Sequence, residues 1–161
     1  MVQPFTHLDD DGKLRMVDVS DKDATLRSAE ASCIVISGID VLALGASSNG
    51  LDIIHAARLA GIQAAKHTAD IIPLCHPISL NNVRVDVVSG QRGVEVRSEV
   101  VTFSRTGVEM EALAACAMAA LSLVSAVAHV DPTIRFEDLV LLRKSGGRSG
   151  DWGRSVGSAR Q

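Results

Sequence analysis

Three short stretches carry the residue types that acid–base and anion chemistry require. Pro73-Leu74-Cys75-His76-Pro77 sets a thiol and an imidazole between two prolines. Each proline locks its own φ and pushes the residue before it toward extended backbone, so the loop is locally restricted. An imidazole titrates near neutral pH, so His76 can act as a general acid or base or contact a phosphate. A loop histidine hydrogen-bonded to a nearby carbonyl fits the same residues. Cys75 has no basic helix start beside it and reads as a buried, inert thiol.

The second stretch is Thr106-Gly107-Val108-Glu109-Met110-Glu111, at the entrance to a long apolar segment. Glu109 and Glu111 are paired carboxylates that can hold a polar ring edge or share a proton. Acids at a helix start also offset the positive end of its dipole and need no further role. The third stretch is Lys144-Ser145-Gly146-Gly147-Arg148-Ser149-Gly150-Asp151. Its glycines let backbone N–H groups approach an anion, and Lys144 and Arg148 add charge. It lacks the spacing of a P-loop, and a flexible tail is the alternative reading.

Patterning supplies the elements that must position these groups. Ala31–Ile36 is a short β-rich run. Ser47-Ser48-Asn49-Gly50 is a loop in which Asn49 can cap a helix, with Asp52 suited to its first turn. From Leu51 to Thr68 the pattern is helical, with Ala57, Gly61 and Ala64 on one stripe and Asp52, His55, Gln63 and Lys66 on another. Val83–Val88 and Val94–Phe103 alternate apolar and polar residues around Ser89-Gly90-Gln91-Arg92-Gly93, an antiparallel hairpin with one wet face. A long Ala-rich helix from about Glu109 to His129 stops at Asp131-Pro132, and Asp138–Leu142 is the last strand. The order β-α-β-β-α-β is an α+β, ferredoxin-like arrangement, an antiparallel sheet with both helices on one face. Residues 1–152 read as a single domain and 153–161 as a flexible tail.

Composition excludes several classes. The 161 residues carry a net charge of −3, and aromatic residues make up 2%. Neither a basic footprint nor a base-stacking surface is available, so nucleic acid is excluded as a partner. Cys33, Cys75 and Cys116 are odd in number, with no Cys-x-x-Cys. That pattern argues against a disulfide framework or zinc site and fits a reducing, cytoplasmic setting. The first eleven residues do not read as a signal peptide. Ala112–Val130 approaches the length of a membrane span, but eight of its nineteen residues are Ala, and a helix apolar all round is also a deeply buried one. No membrane, metal or cofactor is expected. The apolar surface of this helix and the sheet exceeds what a chain of this size easily buries alone, which points to a homo-oligomer.

Taken in order, Asp18-Val19-Ser20, Ala57-Arg58-Leu59-Ala60-Gly61-Ile62-Gln63-Ala64-Ala65-Lys66, Ile72-Pro73-Leu74-Cys75-His76-Pro77, Thr106-Gly107-Val108-Glu109-Met110-Glu111-Ala112-Leu113 and the Lys144–Asp151 stretch resemble the MoaC family. These are the cyclic pyranopterin monophosphate synthases of molybdenum cofactor biosynthesis. The resemblance covers about residues 5 to 152. It implies a ferredoxin-like subunit in a homohexamer, a trimer of dimers with interfacial sites. It also implies a lyase whose substrate is the cyclised purine nucleotide 3′,8-cyclo-7,8-dihydro-GTP, rearranged to the pyranopterin as pyrophosphate leaves. His76, Glu109, Glu111 and the position of Ser125 are implied as catalytic. Leu74, Cys75, His76, Met110, Glu111 and Lys144 are implied as substrate contacts.

Three positions depart from the family pattern. Where it has a lysine before the first helix this chain has Gly50, and where it has an aspartate and then a lysine in the second helix it has Ser125 and Ala128. Neither Ser nor Ala transfers a proton at neutral pH. His55 and His129 are the nearby candidates for replacement. His129 is about 100° around the helix from Ala128 and is not a simple substitute. The departures leave three readings: the family's lyase with impaired proton transfer, a divergent paralogue acting on a related cyclised nucleotide or pterin, and a non-catalytic assembly subunit.

Overall fold

Alternate residues from Ala29 to Val35 are Ala, Ala, Cys and Val, and all four side chains are buried. They form the inner face of β1 (Thr25–Ile36), the central strand of the sheet. The computed structural model describes residues 7–9, 11–47, 52–148 and 150–155. Its other elements are α1 (Val41–Ser47), α2 (Ile53–Lys66), α3 (Thr68–Ile71), β2 (Asn82–Ser89), β3 (Val94–Ser104), α4 (Glu109–Val127), β4 (Arg135–Ser145) and β5 (Trp152–Gly153). The strand order is β2-β3-β1-β4-β5 with every pairing antiparallel. The first four strands have the ferredoxin-like order expected from the sequence.

The hairpin β2–β3 also forms as expected. Val94, Val96 and Val100 are buried, while Glu95, Arg97 and Glu99 lie on the open face. That face carries ion pairs between Arg97 and Glu95, Arg84 and Asp86, and Arg143 and Glu30. The inner face is covered by α4 against β1, β3 and β4, and by α2 against β2 and α4. The buried stripe of α4 runs Ala112, Ala115, Cys116, Ala119, Ala120, Leu123 and Val127, spacing that keeps one side of a helix on the sheet. α4 is long and apolar enough to cross a membrane by composition, but this stripe is occupied by sheet and α2.

The two helices meet at Gly61. A Cβ there would fall 2.6 Å from the Ala115 carbonyl oxygen and 3.2 Å from the Ala119 Cβ. The missing side chain is what lets α2 approach α4 this closely.

Several boundaries differ from the sequence reading. β1 begins six residues early, at Thr25, because β3 pairs with it up to that point and β4 pairs with it from Ser28 onward. β4 extends to Ser145, so Lys144 belongs to the sheet rather than to a tail, and pairing continues through Gly153 and the Arg154 N–H to the Leu142 carbonyl. α1 was not expected; seven residues are too few for a period to register, and Asp40 caps it through the N–H groups of Leu42 and Ala43. The cap of α2 is Asp52, whose carboxylate accepts from the N–H groups of Ile54 and His55. Asn49, the cap proposed from sequence, lies outside the described residues, as does Gly50.

Candidate active site

Between α3 and β2 the chain makes the Pro73–Pro77 loop, held at both ends. At its start, the Ile72 N–H donates to the Thr68 carbonyl. At its end, the Thr102 hydroxyl donates to the Ser79 carbonyl at 2.7 Å and the Phe103 N–H to the Asn81 side chain at 2.8 Å. Within it Leu74 has φ +66°, a left-handed conformation that costs a non-glycine residue on the order of 1–2 kcal/mol. Rigid anchors on β3 and the neighbouring prolines maintain that strain, which turns Cys75 and His76 toward the start of α4.

The start of α4 is fixed from beneath by β3, where the buried Ser98 hydroxyl donates to the Ala112 carbonyl at 2.7 Å. Leu74, Cys75 and His76 from the loop and Gly107, Glu109, Met110 and Glu111 from the helix entrance line one cavity of about 360 Å3. The acidic helix entrance and the proline loop, separated by some thirty residues in sequence, therefore share one site. The volume is within the range of small-molecule pockets.

Glu111 is the most perturbed carboxyl group in this cavity. It is 5% exposed. Burial, followed by the nearby Glu109 charge, pushes its pKa up to about 7, against the opposing pull of a backbone hydrogen bond. A carboxyl poised there can give or take a proton at neutral pH. The Cys75 thiol is pushed up by burial and then by the Glu111 charge, so it sits beside Glu111 as a neutral S–H. Cys75 is half-buried rather than buried as read from sequence, and it lines the cavity. The His76 ring makes no hydrogen bond among the described residues.

Glu109 behaves differently from Glu111. Its Oε1 accepts from Lys144 Nζ at 3.0 Å, which brings the end of β4 to the mouth of the site. Ser125 is not brought to this cavity within one chain. It lies exposed sixteen residues beyond Glu109 on α4, about 24 Å along the axis at 1.5 Å per residue. Ala128 is the C-cap of the same helix, and His129 follows it, exposed. His55, on the first turn of α2, pairs with its own cap residue Asp52 at 2.5 Å. Among the described residues no group of three His, Cys, Asp or Glu side chains could hold a metal ion.

The cavity also contains residues that sequence reading passed over: Lys22, Arg27 and Arg105, with Val17. Arg27 is on β1, and its Nε donates to the Ser104 carbonyl at the end of β3. Its distance in sequence from the loop hides its role. The available signal was a set of basic residues flanking the start of a strand with no acidic partner in helical or cross-strand register.

The MoaC family model matches residues 16–147 of this chain. The chain belongs to the MoaC family. It is 47% identical over 153 residues to the cyclic pyranopterin monophosphate synthase of Streptomyces coelicolor, covering 94% of this chain and 90% of the relative. Mycobacterium tuberculosis has two similar proteins. Cyclic pyranopterin monophosphate synthase 1 is 47% identical over 156 residues, covering 94% of this chain and 91% of its own length. Synthase 2 is 45% identical over 153 residues, covering 93% and 91%. The synthase of Thermomicrobium roseum is 46% identical over 161 residues, with 97% and 96% covered. The MoaC match includes both arms of the cavity, the proline loop and the α4 entrance, and it includes Ser125 and Ala128.

Proposed function

We propose that this MoaC protein is a lyase of the cyclic pyranopterin monophosphate synthase type, acting in molybdenum cofactor biosynthesis. It binds the cyclised purine nucleotide 3′,8-cyclo-7,8-dihydro-GTP in the cavity between the proline loop and α4. The observation that carries this reading is the buried Glu111, titrating at about 7 in a cavity shared with His76 and Glu109. Rearranging the purine to a pterin moves protons on and off ring atoms, and closing a cyclic phosphate removes a hydroxyl proton while pyrophosphate departs. Glu111 supplies a group that changes charge at working pH. Leu74, Cys75 and Met110 present an apolar wall to the ring, and Lys144 with its basic neighbours carries phosphate charge.

Turnover is slow in this reading. Ser125 and Ala128 stand where the family carries an aspartate and a lysine, and Gly50 where it carries another lysine. The distance of Ser125 and Ala128 from the cavity within one chain fits a site completed by a neighbouring subunit of a cytoplasmic homohexamer. Each lost proton-transfer group costs about 10²–10⁴ in rate, and such groups are not additive, so the combined loss is about 10³–10⁶. The test incubates the purified protein and the triple variant Gly50→Lys, Ser125→Asp, Ala128→Lys with the cyclised nucleotide, and measures pyranopterin and pyrophosphate. Recovery of turnover in the variant with little change in binding supports the reading. A parent protein turning over as fast as the Streptomyces coelicolor enzyme refutes the slow-turnover reading.

A further inference from the structure

Cys33 and Cys116 are both fully buried, and their Sγ atoms lie 3.4 Å apart where α4 packs on β1. Neither lines the cavity described above. Cys116 Sγ is also 3.4 Å from the carbonyl oxygen of Val96, the residue opposite Cys33 on β3. On the β4 side the register skips Cys33. Pairing passes from Ser32↔Val140 to Ile34↔Glu137, so β4 carries an extra residue there, and Asp138 within this bulge has φ +56°. A bulge interrupts the ladder, so β4 does not clamp the backbone at Cys33. An S–S bond of about 2.05 Å requires the two sulfurs to approach by about 1.4 Å. Rotation about the side-chain torsions, with the slack opposite the bulge, supplies a movement of that size.

The two thiols are not equivalent. The Cys116 S–H donates to Cys33 Sγ, which holds the Cys33 thiol below its ordinary range against the effect of burial. The same hydrogen bond, then burial, pushes Cys116 up. Thiolate character makes Cys33 the nucleophile of the pair. We propose that Cys33 and Cys116 form a reversible redox site, closed to an intramolecular disulfide by hydrogen peroxide. The Cys33 sulfur attacks one peroxide oxygen, the O–O bond breaks, and the departing hydroxide takes up the proton that Cys33 gave up and leaves as water. Cys116 Sγ then attacks the sulfur of the Cys33 sulfenic acid. The S–S bond forms, the S–O bond breaks, and a second water leaves with the Cys116 proton. The two sulfurs lose a pair of electrons and the peroxide gains it. Both thiols are shut from solvent, so a water-sized oxidant reaches them in local openings and a bulky disulfide reagent does not. In a reducing setting such a bond is transient, a sensor rather than a permanent staple. It fastens α4, which carries Glu109 and Glu111, to the strand that carries Arg27, without resting on the nucleotide reading of the cavity.

The test treats the reduced, folded full chain with hydrogen peroxide and follows intact mass, non-reducing peptide maps and melting temperature. The wild type is expected to lose the mass of two hydrogen atoms and to yield a cross-linked peptide joining Cys33 to Cys116, both reversed by dithiothreitol. The bridge spans 83 positions of sequence and restrains the unfolded chain, so the oxidised protein is expected to melt about 4–16 °C higher than the reduced one. Cys116→Ala removes the resolving thiol, and Cys33 is then expected to stop at the sulfenic acid and to be labelled by dimedone. In Cys33→Ala neither the cross-link nor labelling of Cys116 is expected. A wild type whose Cys33 and Cys116 stay reduced while Cys75 is oxidised overturns the site. So does an unchanged melting temperature on full cross-linking, or dimedone labelling of Cys116 in Cys33→Ala with none of Cys33 in Cys116→Ala. The wild-type peptide map decides the pairing even where a variant fails to fold.

Discussion

Lys144 Nζ and Glu109 Oε1 are 3.0 Å apart, a contact that joins the last long strand to the first residue of α4 across 35 positions of sequence. Both side chains are about 30% exposed, at 29% and 30%. The Glu109 carboxylate folds back over Gly107, into space that any Cβ there would occupy. The two acids at the helix entrance are thereby divided: Glu109 is ion-paired at the mouth, and Glu111 is buried behind it.

Lys144→Met is expected to change stability by no more than about 1 kcal/mol, the range of partly exposed ion pairs. Its functional effect is larger. Without the ammonium, the Glu109 charge acts on Glu111 with less compensation, so the titration of Glu111 moves further up. The check is urea denaturation alongside a pH profile of nucleotide binding; an unmoved midpoint counts against coupling of the three groups.

Glu111 links function to stability. Its folded pKa of about 7 exceeds the ordinary 4.5, so the folded state holds the proton more tightly than the unfolded chain does. Its contribution is therefore fully present below 4.5 and is lost as pH rises through 7. Glu111→Gln is expected to remove that slope and to be more stable than the parent at pH 8 by about 1–3 kcal/mol. Any turnover falls by about 10²–10⁴. Denaturation curves at pH 5 and pH 8 decide it, since equal pH dependence in parent and variant contradicts a buried, titrating Glu111.

Asp131 gives the opposite sign. Hydrogen bonds from the Ser37 hydroxyl, then from Thr133 and the Gly38 N–H, hold its carboxyl well below the usual aspartate range. These bonds tie the turn after α4 to the end of β1. Their stabilisation is present above the ordinary aspartate pKa and is lost as pH falls toward the depressed value. Asp131→Ala is expected to lower the melting temperature at pH 7 and to flatten the acid side of the stability profile. Parent-like acid unfolding of the variant would place the sensitive group elsewhere.

Gly61→Val is expected to cost about 1–3 kcal/mol, because its side chain meets the Ala115 carbonyl rather than a movable group. For a chain of this size that is a fall of about 2–12 °C in melting temperature. The better helix propensity of the new residue does not rescue it. A melting temperature equal to the parent's shows that α2 and α4 can separate without penalty.

The elements most legible in sequence were those whose period matched their surroundings. Val94–Phe103 alternates because one face is buried and the other wet, and it forms β3 with one further residue. The stretch Glu109–Val127 is apolar on all sides, and its entrance was located by Thr-Gly before the two acids. Thr25–Glu30 and Lys144–Ser145 were missed for the converse reason. Their own composition is polar, and they are strands because distant partners pair with them: β3 with Thr25–Glu30, and β1 with Lys144 and Ser145.

From the sequence alone followed the chemistry available to this protein: an imidazole between prolines, two acids at a helix start, and a basic, glycine-rich stretch. Residue types and local periodicity carry that information, because helix dipoles, φ restriction and alternation act within a few residues. Tertiary structure decided which of these groups meet and in what charge state. Burial raised Glu111 but left Glu109 to Lys144, and β-pairing carried Arg27 to the cavity while helix length kept Ser125 about 24 Å away from Glu109. Desolvation and long-range pairing depend on every element packed around a group, so no local reading of the chain contains them.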